Sequence, residues 1–462
     1  MTHHAAIGRA FTRGEWIALL LAVAIAHGFF WHLVRYPSDF DAKNYLDIGA
    51  DIARNGLFSK FYYSDIRTYG YPLFLSVLMR GAAVTGTSWA WWIFETQLLL
   101  FVGGAVALRQ AVAACYPAVA PLVFIAVALN IFALSYAPES LTESLSLSLL
   151  LFGVACWVRL RDARSPNWRV ALLGSLILAT AVMVRPASLF AIVAWYLAVV
   201  AVCIVRRISR LRAAGIAMAV VLGSMLPLIP QYVNNVRHYG EHTPLVVAEL
   251  AKNQQRWGIE YLKYATAMPP VPNPSIFYQN PLAAGRPVDE SRPLHWYLDY
   301  PFASVATMAL HIFNLLDQDL FFTYTRDLDP WYRVPLGVLT HGTIALALVG
   351  AAALFLRRRG EGAALTTFAI GAFVLAHVGL HATTAVEMRF GLPLLVLAGP
   401  MAAWAVIELH RVATRRAQIV VAAWVVIYVV AALALSGWVR QQAPSIRAWQ
   451  ASPAQPSGQA LR

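Results

Sequence analysis

Charge is what this chain of 462 residues has least of. Asp, Glu, Lys and Arg make up 13% of it, against roughly 25% in an average soluble domain, which excludes a conventional water-exposed globular enzyme. Lysine is nearly absent: only Lys43, Lys60, Lys252 and Lys263 stand among 36 basic residues. There are three cysteines, Cys115, Cys156 and Cys203, all in or beside apolar segments. An odd count at such places excludes a disulfide framework. The sequence also has no P-loop, dinucleotide-binding or HExxH pattern, which argues against a nucleotide-linked substrate and a metalloprotease-type centre. No repeat of fixed period occurs, and no small-residue cleavage site follows the first apolar run.

Long apolar runs are there in abundance. Hydrophobic residues form 59% of the chain, aromatics 12%, and the mean hydropathy is +0.58, the reverse of a disordered composition. Runs of roughly 17–25 apolar residues are long enough to cross a bilayer. Eleven are expected, at about 15–34, 89–111, 117–136, 143–160, 168–184, 188–205, 213–230, 332–356, 363–382, 391–410 and 417–437. The expected class is thus an all-α polytopic membrane protein.

The net charge of +13 could suggest nucleic acid, but its distribution points elsewhere. Arginines cluster in short connectors: Arg9 and Arg13, Arg159 to Arg169, Arg206 to Arg212, Arg357 to Arg359, and Arg411 to Arg416. With the N-terminus cytoplasmic, all of them fall on one side, as the positive-inside rule requires. Counting 70–86 as a span would break the agreement, so that stretch is expected to be interfacial or re-entrant. The other face then holds two long segments, 35–88 and 231–331, the C-terminal tail from about 438, and 18 of the 23 acidic residues. Few charges lie within the spans, chiefly Glu95. In the second segment, 265–293 is rich in Pro, Gly and Asn and is expected to be a loop, and 295–325 an amphipathic helix pair at the membrane surface.

The first external segment reads SDFDAKNYLDIGADIARNGLFSKFYYSDIRTYGYP from Ser38 to Pro72. Tyr45, Ile48, Ile52 and Leu57 recur on one helical face, and Asn55-Gly56 is a C-cap signal. Asp41 begins this helix, where the positive helix end favours an ionised carboxylate. Asp39 or Asp41 could simply cap it. Two Asp flanking a Phe, followed by Arg-Thr-Tyr-Gly-Tyr-Pro, favour a catalytic base instead.

These residues resemble a known family. Asp41 with Tyr45, then Arg67-x-x-Gly70-Tyr71-Pro72, look like the GT-C superfamily. The closer likeness is to bacterial family-39-like glycosyltransferases, which are related to protein O-mannosyltransferases and lipid A aminoarabinose transferases. Leu141-Thr142-Glu143, Met183-Val184-Arg185-Pro186, the stretch Asn234 to Gly240 and Glu387-Met388-Arg389-Phe390-x-x-Pro393 follow in the family's order. Two departures stand out: Ala42 replaces a second carboxylate found in many relatives, and Thr68-Tyr69 replaces Pro-Pro.

The resemblance implies transfer of a sugar from a polyprenyl phosphate to a glycolipid, polysaccharide or protein acceptor, among membrane lipids and without nucleic acid. A phosphate leaving group calls for cations, and arginine binds phosphate oxygens in a planar fork. Arg67 is the first candidate, then Arg389, Arg237 and Lys43. The bland alternatives are a snorkelling Arg67 and an Arg389 paired with Glu387. Asp41 would be the base, with Glu143, Asp39 and Glu139 orienting the acceptor. Tyr45, Tyr71, His381 and Glu387 would line the substrate. A divalent cation shared by Asp41 and Glu143 stays open, as does one held by His377 and His381. Aromatics of the second segment, including Trp257, Tyr278, Trp296 and Tyr297, could stack on sugar or belong to an interfacial belt. The rival reading is a transporter of lipid-linked sugars, or a ligase or polymerase using a diphosphate-linked donor.

Overall fold

A computed structural model describes residues 10–33, 41–60, 66–162, 167–248, 250–267, 275–321, 324–325, 329–356, 361–412 and 414–443. Asp39 and the tail beyond Ala443 lie outside them. The chain divides into two compact units: 1–250 with 342–380 and 392–425, and 251–341 with 381–391 and 426–462.

The first unit opens with α1 (Arg13–Leu33), α2 (Asp41–Asn55), α3 (Gly70–Thr85), α4 (Trp89–Cys115), α5 (Ala120–Ala128) and α6 (Ile131–Ser135). It continues through α7 (Thr142–Asp162), α8 (Trp168–Val184), α9 (Leu189–Val205) and α10 (Arg210–Tyr239). The second holds α11 (Leu250–Glu260), β1 (Tyr261–Ala267), β2 (Ser275–Gln279), α12 (His295–Asp299), α13 (Pro301–Leu316) and β3 (Tyr324–Thr325). Then come α14 (Arg333–Leu356), α15 (Glu361–Ala382), α16 (Leu392–Val412) and α17 (Arg415–Arg440).

Among the described residues, eight helices are long and apolar enough to cross a membrane: α1, α4, α7, α10, α14, α16, α17 and the run 186–205 that contains α9. The chain is therefore a multi-pass helical membrane protein. The other three expected spans coincide with shorter apolar helices. The run 117–136 is divided at Asn130, whose extended backbone interrupts the helix and whose side chain accepts from the Ala133 N–H. That is an N-cap inside an apolar run. The stretch 70–86 forms α3 and is not one of the eight.

Local chemistry accounts for the helix ends. Thr12 and Glu15 form a capping box: the Thr12 N–H donates to Glu15 Oε2 at 2.8 Å and the Glu15 N–H to Thr12 Oγ1 at 3.3 Å. Glu15 also accepts from Arg109 Nε of α4 at 2.7 Å, a buried pair that joins α1 to α4. In α2 the expected face is buried through Tyr45, Ile48 and Ile52, and Gly56, at φ +89°, caps the helix.

The second unit adds a small three-stranded sheet to the helical architecture. β1 pairs antiparallel with β2 and parallel with β3. Tyr261, Tyr264, Phe277 and Tyr278 are strand residues, as aromatic types favour strands. Tyr278, Trp296 and Tyr297 lie buried in apolar clusters, so they do not line an open surface.

Gly70 sets the turn after Arg67. A Cβ there would stand 2.5 Å from the Met183 carbonyl carbon and oxygen, so α3 begins against the backbone that leads to Arg185. Gly70→Ala is expected to abolish the monodisperse detergent-solubilised protein, and Gly56→Asn, at an αL cap with open space, to preserve it. Size-exclusion profiles of the two variants check this.

Candidate active site

The cluster in the first unit is built from α2, the turn before α3, α4 and the start of α7. Arg67 Nη2 donates to Asp41 Oδ1 at 2.5 Å, and its guanidinium carbon stands 4.8 Å from the Tyr45 ring centroid. Asp41 and Tyr45 are four residues apart on α2, so one helix face presents both to Arg67. Tyr45 meets Tyr71 edge-on at 5.3 Å. The Tyr71 hydroxyl donates to Gln97 Oε1 at 3.3 Å, and Gln97 Nε2 donates to the carbonyls of Ala137 and Glu139 at 2.8 and 2.9 Å. Burial pushes the Tyr71 phenol well above its usual range, with Glu143, Tyr45 and Glu139 adding to the shift. Tyr71 is therefore a donor here, not a base.

Glu143 opens α7, almost wholly buried, and accepts from Arg185 at the end of α8. Thr142 Oγ1 accepts from the same guanidinium at 3.4 Å. Arg185 was visible in the sequence only as part of an Arg-Pro marker. Its role as the partner of Glu143 was not legible, because 42 residues separate them. Gln97 was missed as well, since it lies within an apolar run.

A row on α10 holds the loop in place. Gln231 Oε1 accepts from the Tyr69 N–H at 3.0 Å, and the Tyr69 hydroxyl donates to the Pro227 carbonyl at 2.7 Å. Asn234 Nδ2 donates to the Leu57 carbonyl at 3.1 Å. The first external segment is thus tied to α10 by side chains in the expected Asn234-to-Gly240 region and just before it. Arg237 and Lys43 are exposed.

In the second unit Arg389 Nε donates to Glu387 Oε2 at 2.6 Å, and Glu387 is fully buried. The salt-bridge alternative for Arg389 is therefore present. His381 stacks on Phe390 at 5.3 Å, while His377, in the first unit, meets Phe190 at 4.1 Å. Among the described residues no group of three or more His, Cys, Asp or Glu is placed to hold a metal ion. Asp41 and Glu143, the two carboxylates that could share a cation, are paired with Arg67 and Arg185 respectively.

A second buried network went unforeseen. Lys263 Nζ lies 3.2 Å from Asp317 Oδ2 and 3.9 Å from Asp319 Oδ1. Asp317 also accepts from Ser436 Oγ at 2.8 Å and pairs with His341 Nε2 at 3.1 Å. Burial alone would lower the Lys263 ammonium, but the Asp319 and Asp317 carboxylates override it and raise it well above the usual range. Burial likewise opposes the Asp317 charge, and Lys263, His341 and Ser436 together hold its carboxyl below the ordinary value.

Fold and site together define a polytopic helical membrane protein with clustered acid–arginine pairs. Neither a protein-family model nor a curated protein sequence matches the chain.

Lys263→Met is expected to strand the Asp317 charge in a buried setting, a loss of about 3–5 kcal/mol. Adding Asp317→Asn should recover part of it. Thermal unfolding midpoints in detergent, measured for wild type and both variants, check the order.

Proposed function

We propose that this protein is a GT-C-like glycosyltransferase of a bacterial inner membrane, with eleven spans, a cytoplasmic N-terminus and its site on the external face. It transfers a sugar from a polyprenyl phosphate to an acceptor hydroxyl or amine. The observation that carries the reading is the Asp41–Arg67 pair: a carboxylate and a phosphate-competent guanidinium held side by side, both partly exposed, in the segment after the first span.

The pair gives an order of events. The donor phosphate competes with Asp41 for Arg67, because both are oxyanions suited to the same fork. When Arg67 turns to the phosphate, Asp41 loses its counter-charge and becomes the better proton acceptor. It takes the proton of the acceptor while the acceptor oxygen or nitrogen forms its bond to the anomeric carbon. The bond from that carbon to the phosphate oxygen breaks, and polyprenyl phosphate leaves with the electron pair. This is a single displacement with inversion. Arg67 stabilises the charge that grows on the leaving phosphate. Glu143, fixed by Arg185, and Tyr71, fixed by Gln97, border the acceptor side.

The transporter reading draws on one observation, the His27–Glu95 pair at 3.1 Å within α1 and α4. Ionisable groups inside spans are costly and mark ion or substrate paths in transporters.

Purified protein in liposomes, offered a panel of polyprenyl-phosphate sugars, is expected to release free polyprenyl phosphate. Asp41→Asn should lower the rate by about 10²-fold or more, the usual contribution of a general base. Full transfer by a correctly inserted Asp41→Asn protein would remove the base assignment. Movement of intact lipid-linked sugar with no release would make the protein a transporter.

A further inference from the structure

The second unit contains a helix with reversed polarity. α13 buries Ser304, Thr307, His311 and Asn314, yet it leaves Phe302 at 92% and Val305 at 69% exposure. Leu294, which caps α12, and Leu298 within it add to this face, the latter 78% exposed. Each of these inward polar residues makes a hydrogen bond, although Asn314 Oδ1 has no partner among the described residues. Asn280 Nδ2 donates to Thr307 Oγ1 at 3.0 Å, and Asn314 Nδ2 to the Leu262 carbonyl at 3.1 Å. The His311 ring nitrogens stand 2.8 and 3.1 Å from the carbonyls of Ala382 and Tyr261. Ser304 Oγ donates to the Tyr300 carbonyl at 2.8 Å.

A helix on a water-covered surface turns its apolar side inward. This one does the opposite, and between Pro301 and Leu316 it carries no Asp, Glu, Lys or Arg. Its inward polar side chains are met by protein groups, Asn314 Oδ1 excepted, while Phe302 and Val305 stay uncovered among the described residues, which is the arrangement an apolar solvent selects. We propose that the outward face of α12 and α13, carrying Leu294, Leu298, Phe302 and Val305, is seated in the hydrocarbon of one bilayer leaflet. Sixteen residues make α13 about 24 Å long. That is short of the ~30 Å hydrocarbon thickness, so it lies along or dips into the leaflet without crossing. A second copy of the chain fits less well. Four side chains offer on the order of 500 Å², below the ~800 Å² per partner of a standard interface. The inference rests on the membrane character of the chain and stands apart from the glycosyltransferase reading.

The test uses full-length protein in lipid nanodiscs, with Cys115, Cys156 and Cys203 replaced by Ala. A nitroxide is placed by Leu298→Cys, Phe302→Cys or Val305→Cys, one at a time. Ile427→Cys, on an exposed part of a candidate span, is the lipid reference, and Ser291→Cys, on an exposed loop, is the water reference. Relaxation by oxygen and by a water-soluble nickel chelate is then measured. The expected oxygen-to-nickel ratio at Phe302 and Val305 matches Ile427 and exceeds Ser291 severalfold. A ratio like that of Ser291 at both positions would place the face in water and overturn the proposal. Low accessibility to both reagents would mean that protein covers it, which also overturns the proposal. The label at Leu298 gives an independent reading should one α13 label disturb the helix.

Discussion

A carboxylate in a medium without hydrogen-bonding partners must be answered from inside the protein, and in this chain arginine gives the answer for four of the acids, while His27 meets Glu95 and Lys263 meets Asp317. Glu15 is met by Arg109, Glu143 by Arg185, Asp41 by Arg67 and Glu387 by Arg389. The first three pairs each join two separate parts of the chain, whereas Glu387 and Arg389 are near neighbours in sequence. The first two are almost wholly buried, and each contributes by making a costly charge tolerable rather than by adding net stability. Asp41–Arg67 differs because both side chains remain partly open. The same interaction that holds the others shut can be exchanged there, and exchange is what chemistry on a phosphate-linked donor would use.

The remaining buried polar side chains follow the same rule. Gln97 ties Tyr71 to the carbonyls before α7, and Gln231 and Asn234 tie the first external segment to α10. Lys263, Asp317, His341 and Ser436 close a network in the second unit. A buried network of this sort is tolerated only when its members are answered, and its position is then fixed narrowly. In the first unit, the Gln97, Gln231 and Asn234 contacts anchor Tyr71, Tyr69 and Leu57, which flank Asp41 and Arg67 along the chain.

What could be read in the sequence was local. The α2 face, its Gly56 cap and the run of apolar helices follow from periodicity within a few turns, and all three are present in the structure. The Arg389–Glu387 pairing was readable too, as one of two alternatives, because two residues separate the partners. Arg185 with Glu143 and Lys263 with Asp317 were not, since the members stand 42 and 54 positions apart. Nothing in local spacing encodes such distances. The strands were missed because aromatic residues on β1 and β2 look like an interfacial belt until their backbone pairing is known. The break at Asn130 was missed because one polar residue in an apolar run is an ambiguous signal.

The account turns on Arg67 serving two oxyanions in turn, and binding of the lipid phosphate alone tests that most directly. Affinity for a short-chain polyprenyl phosphate would be measured on wild type, Asp41→Asn and Arg67→Ala in the same detergent. If Asp41 and the phosphate compete for one guanidinium, Asp41→Asn binds the lipid more tightly than wild type and Arg67→Ala binds it more weakly. Unchanged affinity in both variants, or weaker binding by Asp41→Asn, would contradict the exchange and with it the proposed order of events.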